Sequence, residues 1–447
     1  MEKRWPLGSG APLLHGRRPF SYSRRTAAVY RQKDSLVSSL PIYSTSALLD
    51  TTSPAGKAMA VKELARRHGF DLASIASPDL SAAHERYREW LARGFAGEMT
   101  YLARRPEVRE DLRNVWPETR SALVVAMRYR PEETCAESTN SNREPAGEIA
   151  CYAHGGDYHK FIKKRLIRVL RDLKEIDPLF EGRSYVDTGP ILERDLAVNS
   201  GLGWAGKNSL LLSRELGSYF FIGTLLLNQT LPFDPPMARE HCGTCSQCID
   251  DCPTGAIVAP NVVDSRRCIS YLTIELRGPM PRDLRPLVGN HIFGCDICQA
   301  VCPWNDGAPK AVEPRFAPRA GMSTPNLHEL ILLDEKAFRE RFKGTPVMRA
   351  RYGGFLRNVA VAIGNTGTEA SLYPLARVLR HTEPLARGHA VWALSRIGAR
   401  FRLERIRRIL EARLYSESEE WVSEEIELAL GEMISSWDPA SSGANIQ

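Results

Sequence analysis

The residues best equipped for chemistry are cysteines. Cys242, Cys245, Cys248 and Cys252 read C-x2-C-x2-C-x3-C-P. That is the bacterial ferredoxin run, in which three thiolates hold one [4Fe–4S] cluster and the fourth reaches a second. A second run, Cys295, Cys298 and Cys302, reads C-x2-C-x3-C-P and lacks its leading cysteine, because Phe293 precedes Gly294-Cys295. Cys268 is available to complete it. The spacing predicts crossed wiring: Cys242, Cys245, Cys248 and Cys302 for one cluster, Cys252, Cys268, Cys295 and Cys298 for the other. Zinc favours separate C-x2-C pairs, whereas triplets that twice end in Cys-Pro favour iron–sulfur. Eight of the ten cysteines lie between 242 and 302, so they serve one local purpose. Free thiolates suit a reducing cytosol better than an exported disulfide scaffold. Clusters imply one-electron transfer to an acceptor held elsewhere in the chain.

The remaining elements must hold that acceptor. A length of 447 residues calls for two or three domains. No apolar run approaches the 18 residues of a membrane span. From Met59 to about Pro232 helix and strand signals alternate, which predicts an α/β domain. AVKELARRHGFDLASIA (60–76) reads as an amphipathic helix with Gly69 near its end, and SALVVAMRYR (121–130) as a buried strand. HKFIKKRLIRVLRDLKEI (159–176) reads as a helix with Phe161, Ile162, Leu166, Ile167, Leu170 and Leu173 on its apolar face. RSYVDTGP (183–190) is a strand ending in a turn. ILERDLAVNSGLG opens a helix that stops at Gly201, and GSYFFIGTLLLNQTL is one strand or two.

Three features in this stretch carry candidate chemistry. Asp187 stands at a strand end, where ligand-facing residues of layered sheets collect; the plainer reading is an Asx turn with Thr188 and Gly189. GLGWAGKN (201–208) fits G-x4-G-K through Gly201, Gly206 and Lys207. Asn208, however, replaces the magnesium-binding Ser or Thr of a P-loop, and the stretch follows a helix rather than a strand. Asp157 and His159 in GGDYHK are possible ligands, although a His at a helix start more often caps or packs. DYHKFI misses the D-x-H-x-x-G pattern of a His that coordinates cobalt from below, because Ile162 stands in place of the glycine.

The C-terminal third has a repeat. RNVAVAIGNTG (357–367) and GHAVWALSRIG (388–398) align with a shift of 31 residues, and EEIELALGEM (424–433) is a weaker third copy. Helix pairs of this period stack into short solenoids. Arg349, Arg351, Arg357, Arg387, Arg402, Arg405, Arg407 and Arg408 make the segment basic, which fits phosphate contacts; the plain alternative is a solvated helix face. Residues 1–58 carry nine Lys or Arg against three acids and thus most of the +7 net charge. They read as an unstructured extension or a start placed too early, with an organellar transit peptide as the alternative. Cys135 and Cys151 read as ordinary thiols.

The order of these parts, together with SYVDTGPILERDLA, GLGWAGKNSLLL, CGTCSQCIDDCPTGAI, CISYLTIELRG and GNHIFGCDICQAVCPWN, resembles the epoxyqueuosine reductases over roughly residues 59–435. The resemblance implies a nitroreductase-like α/β cobalamin-binding domain at 59–232 and a ferredoxin-like domain with two [4Fe–4S] clusters at 233–312. HEAT-like helical repeats that bind tRNA would fill 313–438, with a tail at 439–447. It implies base-off cobalamin with no protein His below the cobalt. The substrate would be a tRNA with a GUN anticodon carrying epoxyqueuosine at the wobble position. The electron donor is not identified by the resemblance, and a cytoplasmic monomer is expected. Asp187 matches the acid that protonates the departing oxygen, with a pKa raised by a dry pocket or a partner. Asp187, Tyr152, Asp157, His159, Arg194, Gly206, Lys207 and Asn208 are the candidate cobalamin contacts, and Arg349, Arg351 and Arg357 the candidate tRNA contacts. The alternative is a related cobalamin and iron–sulfur reductase acting on a small molecule, as reductive dehalogenases do.

Overall fold

The structure is a computed structural model that describes residues 52–131 and 144–437. Cys135, the 439–447 tail and most of the 1–58 extension lie outside the described residues. Helix α1 (Pro54–Arg67) starts five residues before Met59. Ser53 caps it by accepting from the Gly56 N–H at 3.0 Å, and Pro54 occupies its first turn. The extension therefore ends before Ser53, not at residue 58. Gly69 takes φ +80° just beyond the helix, and Leu72–Ala76 leaves as strand β1. The helix expected over 60–76 is thus a helix and then a strand.

β1 pairs with β2 (Ser121–Arg128), β2 with β4 (Phe220–Leu227), and β4 with β3 (Gly182–Tyr185), giving the order β1-β2-β4-β3. Every pairing is antiparallel. The expected layering of helices on a sheet is present, but the alternation of elements does not build a parallel sheet. Side-chain alternation along β2 sorts two cores. Leu123, Val125 and Met127 pack with α1 and α2 (Tyr158–Ile176) on one face. Ala122, Val124 and Ala126 pack with Leu196, Ala197 and Leu211 on the other. On α2 the buried stripe includes Val169, while Ile167 is 50% exposed. α3 (Glu193–Asn199) follows β3 after a short turn.

Each cysteine run opens a one-turn helix, Gln247–Asp250 and Ile297–Ala300, and the two turns pack against each other. Beyond them, α4 (Tyr352–Thr366) packs on α6 (Pro384–Phe401), and α6 on α8 (Glu420–Trp437). α5 (Leu372–Val378) and α7 (Glu404–Leu414) lie between them in sequence. The boundary drawn at 312/313 does not separate two cores: Ile269, Leu272, Met280, Ile292 and Phe293 share one apolar cluster with α4, α6 and α8. Each long helix also sends buried polar side chains across. Asn358 donates to the carbonyls of Thr273 (2.7 Å) and Ile292 (3.0 Å). His389 Nε2 accepts from the Met280 N–H at 3.1 Å. Glu425 holds Arg285 through contacts of 2.8 and 3.0 Å, with both side chains nearly inaccessible. Removing one partner of such a pair costs about 3–5 kcal/mol.

Candidate active site and cluster loops

The turn between β3 and α3 is bent at Asp187, which has φ +58°. The Thr188 N–H closes it on the Val186 carbonyl at 2.6 Å, a three-residue γ-turn. A non-glycine residue in this conformation costs ~1–3 kcal/mol and persists only where its surroundings enforce it. Three contacts do so here. The Asp187 N–H donates to Glu193 Oε2 at 2.7 Å. Asp187 Oδ2 accepts from the Tyr158 hydroxyl at 3.0 Å and faces His159 Nε2 at 3.2 Å. Although protein surrounds it, the Asp187 side chain stays 65% accessible, so it stands in a concave opening.

His159 is placed by the start of α2. Asp157 caps that helix through the His159 N–H (3.0 Å) and also takes His159 Nδ1 at 2.7 Å. A side chain at Gly155 would strike the Arg315 carbonyl and the Phe316 backbone, so the glycine lets this segment seat against residues 315–316. The Tyr158 ring stacks between His159 and Phe221, each at 4.0 Å, and Tyr152 stands 6.3 Å from Tyr158.

The charges follow from this geometry. Burial opposes a charge on His159, but its hydrogen bonds to Asp157 and Asp187 outweigh burial and raise its pKa to about 9. The same contact with His159 holds Asp187 below the usual carboxylate range against the opposing effect of burial. The raised pKa expected for Asp187 is therefore not present: the proton sits on His159. Burial and then the negative charge of Asp187 push Glu193 up to about 8. Neither His159 nor Glu193 was assigned this pairing in the sequence, because it joins residues 28 and 6 positions away from Asp187.

The glycine-rich stretch is a hairpin, Trp204–Ala205 against Leu211–Leu212. A side chain at Gly206 would meet Asn208 Oδ1 and Leu212, both at 2.7 Å. Lys207, expected at cobalamin, instead donates from Nζ to the carbonyls of Gly243 and Cys245, each at 2.8 Å. Asn208 is buried and donates to the Cys298 carbonyl at 3.2 Å. Arg194 donates to the Ser209 carbonyl of the same hairpin. One hairpin thus joins the Asp187 turn to both cysteine runs.

The cysteines sort into two groups by whose charge each one feels. Burial raises Cys248, followed by Cys242, Cys302 and Cys245; burial raises Cys302, with Cys242 and Cys245 as its thiol neighbours. Burial pushes Cys295 up to about 12, and its thiol neighbours are Cys268 and Cys252. Cys298 is raised by burial, then by Cys295, Cys268 and Cys248. Cys268 is raised by burial and feels Cys252. Most of these neighbours fall within the quartets expected from the spacing, with Cys248 and Cys298 meeting across the two groups, and an all-thiol donor set of this kind fits iron–sulfur clusters. The eight cysteines between 242 and 302 are free thiols. Both ring nitrogens of His159 are engaged by carboxylates, so in this arrangement it offers no ligand to a metal.

Of the candidate tRNA contacts, Arg357 is a correction. It is 1% exposed and donates to the carbonyls of Leu272 (2.6 Å), Leu276 (2.9 Å) and Gly278 (2.8 Å), so it closes the end of a helix instead of meeting solvent. Burial lowers its pKa to about 9. Arg349 is half exposed, pairs with Glu275 at 2.9 Å and lies over the Tyr101 ring at 5.5 Å. Arg351 is exposed and makes no ion pair among the described residues. Arg387, Arg405 and Arg407 pair with Glu417, Glu369 and Glu404. Tyr101 feels the charges of both Arg349 and Asp187, which sets this basic edge beside the Asp187 opening.

Comparison with known proteins agrees with this arrangement. Residues 109–188 match the family described as epoxyqueuosine reductase QueG, and residues 241–305 match a 4Fe-4S double cluster binding domain. An epoxyqueuosine reductase of Pseudomonas aeruginosa is 42% identical over 352 residues, covering 78% of this chain and 97% of the relative. That of Escherichia coli is 40% identical over 338 residues, covering 76% and 89%. A solved epoxyqueuosine reductase with an epoxyqueuosine-modified stem loop of tyrosine tRNA superposes with a TM-score of 0.78 at 27% identity, covering 84% of this chain and 98% of the other. A Bacillus subtilis structure, in which the catalytic aspartate loop is swung out of the active site, superposes at 0.77 and 27% identity over the same shares. With its two cysteine quartets and relatives at about 40% identity over nearly their whole length, the chain belongs to the epoxyqueuosine reductase family.

Proposed function

We propose that the chain reduces epoxyqueuosine at the wobble base of tRNA to queuosine. The reaction takes two electrons and two protons: the epoxide oxygen leaves as water, and a carbon–carbon double bond remains. When bound, two [4Fe–4S] clusters held by the two quartets and a base-off cobalamin supply the electrons and the metal that engages the epoxide. Lys207 and Asn208 steady the two cluster loops, and an external donor supplies the electrons.

The proton is the business of Asp187 and His159. An alkoxide is a poor leaving group, so a positioned acid is worth about 10²–10⁴ in rate. Asp187 Oδ2 lies between the Tyr158 hydroxyl, which orients it, and His159 Nε2–H, which reprotonates it. The stored proton is on His159, and Asp187 is the atom-level carrier to the departing oxygen. The observation that carries this reading is the Asp187–His159 pair at 3.2 Å in an open cleft, tied by one hairpin to both cysteine quartets. The aspartate loop that swings in the Bacillus subtilis relative is taken as the counterpart of the Asp187 turn.

Arg349 and Arg351, with Arg277 beside them, take backbone phosphates at the cleft edge, and the modified base projects toward Asp187 as bases do in enzymes that act on them outside the stack. The helix pairs from α4 to α8 serve as HEAT-like repeats that carry this edge. Support comes from the relative solved with a modified tRNA stem loop. No helix among the described residues is long and apolar enough to cross a membrane, and we place the chain in the cytoplasm as a monomer.

The test is anaerobic reconstitution and an assay on epoxyqueuosine-containing tRNA with cobalamin and a strong reductant, read by nucleoside mass spectrometry. Cobalamin-dependent formation of queuosine is expected. Retention of about eight irons and of cobalamin without conversion would overturn the substrate and leave the small-molecule reading.

A further inference from the structure

Glu193 has no role in the reaction as proposed, yet it is the residue most closely joined to the backbone of Asp187. It opens α3, six residues on. Its Oε2 accepts the Asp187 N–H at 2.7 Å, while its Oε1 is buried without a hydrogen-bond partner. The Thr224 hydroxyl of β4, also buried, is its neighbour and weakly favours its charged form. Asp is among the few non-glycine residues that visit the left-handed region, and an anchor such as this holds Asp187 there.

We infer that Glu193 is a positioning residue: in its neutral form it pins the bent Asp187 turn so that the carboxyl faces the cleft, and its ionisation loosens the turn. The inference rests on Asp187 being the proton carrier. An ionised Glu193 would accept the Asp187 N–H more strongly, but it would also set a buried negative charge beneath the Asp187 carboxylate, and that repulsion is the larger effect. The facing groups are Asp187 on the turn, His159 and Tyr158 at the start of α2, and Thr224 on β4; Arg194, the next residue, is turned to the Ser209 carbonyl. His159 is the cation that Glu193 feels, and it is already shared between Asp157 and Asp187; the charge of Arg194 acts on Asp187. Burial keeps Glu193 neutral up to about 8, so the pin holds at neutral pH.

Hydrogen exchange at the Asp187 amide reads the pin directly, without tRNA or turnover. Wild-type protection is expected to fall about tenfold or more as pH rises through the Glu193 transition, after correction for intrinsic exchange. Glu193→Gln, which keeps a carbonyl acceptor and cannot ionise, holds its protection over that range; any loss it shows measures His159 instead. Glu193→Ala is unprotected throughout. In turnover, Glu193→Ala loses about ten- to a hundredfold in kcat with KM, iron and cobalamin unchanged. Glu193→Gln recovers most of that loss and lacks the alkaline decline assigned to Glu193. Protection in Glu193→Ala equal to wild type, or wild-type protection unmoved by pH, would overturn the inference. If the wild type protects the amide as expected but converts no epoxyqueuosine, the fault lies with the proposed substrate and not with Glu193.

Discussion

The cysteine loops and the Asp187 turn meet at one hairpin but are held by different forces. The loops are fixed by neutral backbone carbonyls, which Lys207 and Asn208 grip at Gly243, Cys245 and Cys298. Their thiols are pushed up by burial and by each other. The turn is fixed by charge: a cationic His159 between Asp157 and Asp187, with a neutral Glu193 beneath. The difference separates two kinds of failure. Damage to a loop should appear in what the protein binds, and damage to the turn in when its protons are available.

The largest effects mark the two ends of that contrast. Cys268→Ala removes a ligand of the buried quartet, so iron should fall from about eight to about four atoms and turnover should vanish. Unchanged iron would show that Cys268 is not a ligand. Asp187→Asn keeps the shape of the turn and removes the proton carrier. Its turnover should fall about 10²–10⁴-fold with iron and cobalamin at wild-type levels; loss of either group would erase the distinction between loop and turn.

A smaller, graded effect belongs to His159. His159→Gln should cost about ten- to a hundredfold in turnover. In the wild type, the proton that His159 holds is available below its pKa of about 9 and lost as pH rises through it. The alkaline decline near that value should be missing in the variant. Stability has its own sign. Glu193 has a raised carboxyl, so the folded state binds more protons than the unfolded one between the ordinary value of 4.5 and about 8. Stability contributed at this position therefore falls as pH climbs through that window, by up to about 4–5 kcal/mol. Denaturant unfolding of wild type and Glu193→Gln across the window should diverge accordingly, whereas parallel curves would mean that Glu193 ionises freely.

The same contrast explains what was legible. Cluster ligands come from short runs whose spacing is set by one helical turn, so a double-cluster domain is legible in the cysteine runs themselves. The turn is made by contacts across 28 residues and by a left-handed Asp, and no local pattern encodes either. A strand end and a family resemblance point to Asp187; the sequence marks His159 only as a candidate ligand and carries no signal for Glu193. Arg357 reads as a tRNA contact by its charge, and its neighbours in the fold make it a buried helix-end donor instead. The run VAVAIG after it, with no charged residue, was the signal of a helix buried on several sides. Likewise Gly69 marked the true end of α1, and Ser53-Pro54 its true start.

That start sets the smallest effect. Removing residues 1–51 leaves Ser53, Pro54 and Lys57 in place, and activity and melting should match the full chain. Removing residues 1–58 takes the cap and the 2.6 Å ion pair of Lys57 with Asp177, both of whose side chains are mostly buried. The cap is worth about 1 kcal/mol and the ion pair a similar amount at most. α1 packs on α2, and His159 lies in the first turn of α2. The shorter protein should therefore melt a few degrees lower and lose activity mainly at elevated temperature, with its iron content untouched. A loss of iron in this truncation would show that α1 supports the cluster loops as well, and the two regions would then be less independent than their separate forces imply.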